Sequence, residues 1–411
     1  MAKSICIIGG STSGWWTAGY WEKHMPDWDI TIYDAPTIPA LGVGESCLPQ
    51  LKWWWESMGI EENQWMKKGN AVYKYGNYKE GWNTPDPEKD DPFVTRFWFN
   101  DDNIFDKMYA DKSNWKNGSI NKQIFYDEFD TPDKRADYAY HVCAESTAFI
   151  VKQTCQRTKV IEDEVTTLPN GYDLYIDCTG FSRKFVKDKT PMKLHHQHFV
   201  DSAWVNPVHT NEELDWDVTK STARKYGWEF EISLRNRVGM GYVYSSRHVS
   251  DEHALDEFLN NQKQQGRVAI GEPRRYSWTP TVFQNPWSDN VVAIGSSAGF
   301  VDPLEATTLF MTQAGITQLV NTIKRGYRKE SYNRVMRRIW NDGIRFILAH
   351  YQLSKRTDTQ FWIDSKNDEM KKNMWDYYQK YTSSYQWIFP SGTWCQLGTY
   401  FNEFDYYAPK L

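Results

Sequence analysis

Lys74, in Val72-Tyr-Lys-Tyr-Gly76, and Glu305, in Gly299-Phe-Val-Asp-Pro-Leu-Glu-Ala-Thr-Thr308, are the two side chains best suited to share a reaction. An amine and a carboxylate flanking an aromatic ring would serve oxidative substitution on that ring. The amine would hold an electrophile and the acid would accept the proton the ring gives up. The pair lies far apart in sequence, so this chemistry requires the fold to bring both to one sheltered, ring-sized hollow. Each residue also has a plain structural reading. A lysine among aromatics ordinarily lays its stem on the rings with the ammonium in water. Asp302-Pro-Leu-Glu305 has the spacing of a helix capping box with Pro303 at the first helical position, on the helix that would bear Glu305. If residues 72–80 are extended, Lys74 and Lys79 point to opposite faces, so only one can enter a given pocket.

The elements that would position them begin at the N-terminus. Ser4-Ile-Cys-Ile-Ile8 is a short apolar run suited to a strand buried on both faces. Gly9-Gly-Ser-Thr-Ser-Gly14 follows, then a predicted helix through His24 and a second strand, Asp29-Ile-Thr-Ile-Tyr33, ending at Asp34. Strand, glycine turn, helix, strand and acid in this order form a dinucleotide-binding unit. The helix N-terminus faces a pyrophosphate and the acid meets ribose hydroxyls. One position departs from the pattern: the middle glycine is Ser11, which predicts weaker cofactor binding.

Two later segments read as pieces of the same domain. Tyr172-Asp-Leu-Tyr-Ile-Asp-Cys-Thr-Gly180 is a strand ending in a small-residue turn. Asn290-Val-Val-Ala-Ile-Gly-Ser-Ser-Ala-Gly299 is another, leading into the segment with Glu305. A nucleotide domain built from separated pieces is typical of flavoproteins and favours FAD. The expected class is α/β: a Rossmann-like FAD-binding domain of the glutathione-reductase and flavin-monooxygenase type, from residues 1–82, 138–196 and 285–330. Residues 83–137, rich in Asp, Asn, Lys and Pro, predict an excursion with little regular structure. Alternating segments within 197–284 predict a sheet with one buried face, and Ser250 caps a helix. Residues 331–411 read as a mainly helical substrate-binding region.

Composition narrows the function classes. With 411 residues, 40% of them hydrophobic, the chain can bury a large core. A net charge of −5 with scattered basic residues gives no footprint for nucleic acid or an anionic membrane. No apolar run reaches membrane-spanning length, and the six cysteines show no metal-ligand spacing, so reduced thiols, a cytoplasmic setting and no metal are expected. Cys6 and Cys178 fall in apolar strands and should be inert. The 21 Trp and 25 Tyr suit either core filling or a cavity walled by flat rings.

Taken together, these segments resemble the flavin-dependent tryptophan halogenases. The matching runs are Gly9-Gly-Ser-Thr-Ser-Gly-Trp15, Ile30-Thr-Ile-Tyr-Asp-Ala-Pro-Thr-Ile-Pro-Ala-Leu-Gly-Val-Gly-Glu45, Tyr73-Lys-Tyr-Gly76 leading to Gly81-Trp82, Asp177-Cys-Thr-Gly-Phe181 and Phe300-Val-Asp-Pro-Leu-Glu305. The family's W-x-W-x-I-P motif stands here as Trp228-Glu-Phe-Glu-Ile-Ser233, with Phe230 and Ser233 as departures. The resemblance spans nearly the whole chain, which reads as a compact, divergent member of the type encoded by marine phages.

The resemblance implies that reduced FAD from a separate flavin reductase activates O2 and that a halide (chloride, bromide or iodide) becomes hypohalous acid. This oxidant crosses a tunnel to a small aromatic substrate. Lys74 would deliver the halogen and Glu305 would stabilise and deprotonate the ring cation. FAD would be held by Gly10, Thr12, Ser13, Asp34, Ala35, Ile38, Leu41, Glu45, Ser296 and Leu309, with residues 38–45 as a strap loop. The halide would sit at Thr307 and Thr308. Phe97 and Thr95 align with the family's aromatic and histidine that clamp indole. The threonine argues against free tryptophan and leaves other indoles and phenols as candidates. Two alternatives stand beside this: an aromatic monooxygenase, and a non-catalytic FAD-binding protein. Oligomeric state is left open, a homo-oligomer included.

Overall fold

In this computed structural model the described residues are 3–38, 44–90, 92–96, 138–193, 200–211, 215, 217–366, 397 and 401. The chain divides into two compact units. One comprises Met1–Val72, Tyr140–Leu194 and Thr279–Trp340; the other comprises Tyr73–Ala139, His195–Trp278 and Asn341–Leu411.

The first unit is built on a six-stranded sheet in the order Trp287–Ser288, Val291–Ala293, Leu174–Asp177, Lys3–Ile8, Trp28–Tyr33, Lys159–Ile161. All neighbours are parallel except the edge pair Trp287–Ser288 and Val291–Ala293. Parallel strands are covered on both faces, which explains the unbroken apolar run: Ile5, Cys6 and Ile7 are wholly buried. Burial pushes the Cys6 and Cys178 thiols up to about 12, so both are inert at neutral pH. From Lys3–Ile8 the chain order runs outward in both directions. This places a topological switch point between Ile8 and Asp177, where a crevice opens at the strands' carboxyl ends.

Helix Thr12–His24 follows the first strand and is buried along most of its length because Ala144–Thr154 and Thr307–Lys324 pack against it. A methyl group at Gly19 would lie 2.4 Å from Val151 Cγ1, so glycine permits the close helix approach. Trp16 packs against Trp54 and Trp55, Trp55 against Trp65, and Trp65 against Tyr140, with ring centres 3.9–5.6 Å apart. The buried indole N–H groups of Trp16, Trp55 and Trp65 find no acceptor among the described residues. Tryptophan here is core material.

The second unit carries a seven-stranded sheet in the order Arg274–Ser277, Ser202–Val205, Val238–Tyr244, Gly227–Ser233, Thr219–Arg224, Gly76–Glu80, Phe93–Arg96. The central strand Gly227–Ser233, read from sequence as part of a sheet with one buried face, is buried everywhere but at Phe230, and its neighbour Val238–Tyr244 is buried at every residue, so neither strand alternates as expected. Helix Asp251–Gln264 covers one side through Ala254 and Phe258. Ser250 caps that helix as read from sequence, its Oγ accepting from the His253 N–H at 3.3 Å. Strand Phe93–Arg96 lies in the stretch expected to be irregular, where pairing with Gly76–Glu80 supplies its backbone partners. Residues 97–137, and the C-terminal region beyond 366 apart from 397 and 401, lie outside the described residues. Helices Thr307–Lys324, Lys329–Leu353 and Gln360–Asp364 follow the last strand.

Candidate functional site

A cavity of about 700 Å³ opens at the switch point of the first unit. It brings together Gly10, Thr12, Ser13, Asp34, Ala35, Ile38, Glu45, Ser296, Thr308 and Leu309, residues widely separated in sequence, and among the described residues no tryptophan lines it. Leu41 lies outside the described residues.

The local geometry explains the glycine turn. Gly9 has φ 113°, and a Cβ there would sit 2.4 Å from the Cys178 carbonyl oxygen. A Cβ at Gly10 would fall 1.7 Å from Asp34 Oδ1. Ser11, the departure from the glycine pattern, has ordinary extended backbone (φ −83°, ψ −168°) and its side chain makes no capping bond. The turn therefore tolerates serine at this point without strain. The first-turn N–H groups of helix Thr12–His24 remain available for an anion, reinforced by the helix dipole. Behind them, fully buried Asp177 ties the crevice walls together. Its Oδ1 accepts from the Thr179 N–H, the Thr179 hydroxyl and the Ser297 hydroxyl, and its Oδ2 from the Phe185 N–H, at 2.7–3.1 Å. Glycine approach, open helix N–H groups and a carboxylate at the end of the second strand together fit a dinucleotide such as FAD.

Glu45 also faces this cavity. It lies in the strand Gly44–Ser46, not in a loop as expected, paired with Val142. Enclosure in the cavity wall pushes its carboxyl up to about 7.

Glu305 is buried, and its backbone corrects the capping-box reading. Helix Thr307–Lys324 begins after it, and Glu305 and Ala306 are both left-handed, with φ 66° and 59°. Asp302 instead holds a local turn, its Oδ1 accepting from the Leu304 N–H at 2.9 Å. Two consecutive non-glycine residues in this region cost about 1–2 kcal/mol each. Thr307 and Thr308 open the helix as the sequence suggested. The helix cap is Ala306, whose methyl group cannot accept from the first-turn N–H groups. Thr307 turns its hydroxyl inward to the carbonyls of Asp302 and Leu304, while Thr308 reaches the cavity wall.

Within the second unit Lys74 is wholly buried, and so is Lys79. The chain breaks at Tyr75 between strands Val72–Lys74 and Gly76–Glu80, so simple alternation does not relate the two lysines. Lys79 Nζ donates to Thr95 Oγ1 at 2.6 Å, and Thr95 is itself buried. Phe97 lies outside the described residues.

Strand Gly227–Ser233 holds a feature that the sequence reading missed. Glu229 and Glu231 alternate with Trp228 and Phe230, a pattern that suggests a solvated acidic face. Both are buried instead. Arg224 grips Glu229 through two nitrogens at 2.7 and 2.8 Å, and Arg267 and Lys220 meet Glu231 at 2.6 and 3.2 Å. Although burial opposes it, Lys220 and Arg267 hold the Glu231 carboxyl below its ordinary range. A buried-face reading of the two glutamates, with basic partners sought elsewhere in the chain, was the available signal.

Among the described residues, no cluster of His, Cys, Asp and Glu is placed to hold a metal ion, and no helix is long and apolar enough to cross a membrane.

Comparison with known proteins agrees with this geometry. A model of the tryptophan halogenase family matches residues 4–407. The tryptophan 7-halogenase KtzQ of Kutzneria sp. (strain 744) is 29% identical over 88% of this chain and 78% of its own length. The tryptophan 7-halogenase RebH of Lentzea aerocolonigenes is 28% identical over 98% of this chain and 85% of its own. A flavin-dependent halogenase from Xanthomonas campestris has the same fold, with TM-score 0.81 at 23% identity, over 98% of this chain and 90% of its own.

Proposed function

The chain belongs to the tryptophan halogenase family, a family of flavin-dependent enzymes, and from that premise we propose that it halogenates an electron-rich aromatic of the indole or phenol type. Reduced FAD, delivered by a separate flavin reductase, would supply two electrons to O2 while a halide supplies two more, giving water and hypohalous acid. Gly10, Thr12 and Ser13 would hold the pyrophosphate, Asp34 and Ala35 the adenosine half, and Ile38, Leu41, Glu45, Ser296 and Leu309 the remainder. Thr307 and Thr308 would offer backbone N–H groups to the halide.

Lys74 would deliver the halogen, either by hydrogen-bonding hypohalous acid or as a haloamine. A buried amine suits both roles, because exclusion of water strengthens its hydrogen bonds. Glu305 would stabilise the ring cation and accept its proton, restoring aromaticity. The strained turn places the Glu305 backbone ahead of the helix Thr307–Lys324, outside its first turn.

The observation that carries this reading is that the cavity wall includes Thr308 and Leu309, at the start of the helix that directly follows Glu305. A dinucleotide cavity, a helix N-terminus without a side-chain cap and a buried acid thus occupy one region of the first unit. Thr95 is engaged by Lys79 and does not offer a ring clamp, which favours indoles or phenols other than free tryptophan as substrate.

The test is incubation with FAD, a flavin reductase, NADH and each of chloride, bromide and iodide, against a panel of indoles and phenols. A product in which halogen replaces hydrogen is expected. A product that has only gained oxygen would establish the monooxygenase reading, and bound FAD without turnover the non-catalytic one.

A further inference from the structure

Asp34 closes the second strand of the nucleotide unit and lines the cavity, and its two carboxylate oxygens have different surroundings. Oδ2 accepts from Lys152 Nζ at 2.9 Å and from the Trp15 indole N–H at 3.2 Å. The Lys152 ammonium lies 4.8 Å from the centre of the Trp15 ring, so amine and indole brace one another. Oδ1 lies over Gly10, where only a glycine leaves it room, and no donor among the described residues meets it.

Lys152 and Asp34 side chains are 39% and 21% exposed, and a pair this open adds only about 0.2–1 kcal/mol to folding. Its geometry does more than its energy. Pinning one oxygen fixes the carboxylate's rotation and leaves the other with a single direction in which to accept. The ammonium also offsets a negative charge that would otherwise face a pyrophosphate.

We propose that Lys152 and Trp15 are positioning residues that turn Asp34 Oδ1 toward the cavity, where it accepts the hydroxyls of an adenosine ribose. This rests on the FAD reading and deepens it. It assigns the adenosine end of the cavity and makes recognition there depend on a lysine from the helix Ala144–Thr154.

The experiment compares wild type, Lys152→Met and Lys152→Arg in three measurements: calorimetric titration with ADP, fluorescence titration with FMN, and thermal unfolding without ligand. ADP carries the ribose and FMN lacks it. Lys152→Met should weaken ADP by about tenfold, the range for loss of a charge-supported hydrogen bond. FMN affinity should stay unchanged, the unfolding midpoint should fall only by the little that so exposed a pair contributes, and Lys152→Arg should restore ADP. Equal loss of ADP and FMN, unchanged ADP binding in Lys152→Met, or a wild type that does not bind ADP would overturn the proposal. A wild type that binds ADP but not FAD in the same titration, with the lysine effect intact, would sink the flavin reading and leave the ribose assignment standing.

Discussion

Lys79 donates to Thr95 across adjacent strands at 2.6 Å, and the Thr95 hydroxyl in turn donates to the Asn77 carbonyl at 3.3 Å. A fully buried lysine is held here by a buried threonine. Thr95→Val keeps the shape but takes one acceptor from that ammonium, and should cost about 1–3 kcal/mol in urea unfolding. A midpoint within error of wild type would show that the contact contributes nothing.

Ala306 holds a left-handed conformation that glycine adopts freely. Ala306→Gly should stabilise the protein by about 0.5–1 kcal/mol, the relieved strain being partly offset by the freedom glycine gains when unfolded. Ala306→Val should lower stability. Calorimetric melting of both variants checks the sign, and a melting point that falls for glycine would contradict the strained-turn account.

Gly10→Ala would drive a methyl group to 1.7 Å from Asp34 Oδ1. The carboxylate must then move off the site it shares with Lys152 and Trp15. FAD affinity should fall by about tenfold or more, on the scale of overpacking costs. Fluorescence titration reads this directly, and undiminished binding would show that the turn is not the cofactor cradle.

Glu45 gives a pH test with a fixed sign. Enclosure raises its carboxyl from 4.5 to about 7, so between those values the folded protein binds more protons there than the unfolded chain. Stability therefore falls as pH rises through that window. Glu45→Gln removes the penalty: it should match wild type at pH 4 and exceed it by about 1–3 kcal/mol at pH 8. Parallel stability curves for the two proteins would contradict the enclosed-carboxyl reading.

Much of the cavity was legible because its signals are local. Strand, glycine turn, helix, strand and acid follow one another up to Asp34, and each carries its own pattern. The turn at Glu305 was not. Asp302-Pro-Leu-Glu305 fits a capping box, and neither Glu305 nor Ala306 announces a left-handed backbone as glycine would. Buried charge was hidden for a different reason. Glu231 meets Arg267 across 36 residues, a distance over which periodicity says nothing, and the more open pair of Asp34 and Lys152 spans 118. A charged residue on an alternating strand looks solvated until the helix laid over it is known, as Asp251–Gln264 is over Glu229, where Asn261 reaches it at 2.6 Å.

The role given to Lys74 is the central claim, and Lys74→Ala tests it most directly. Wild type and variant are supplied with FAD, a flavin reductase, NADH, O2 and bromide, with the aromatic substrate in one arm and a soluble scavenger of hypohalous acid in the other. The account predicts that Lys74→Ala keeps FAD affinity and still brominates the scavenger, but loses halogenated substrate by about 100-fold or more, the scale of removing a proton-transfer group. Substrate halogenation at the wild-type rate in Lys74→Ala, with loss in Lys79→Ala instead, would contradict it.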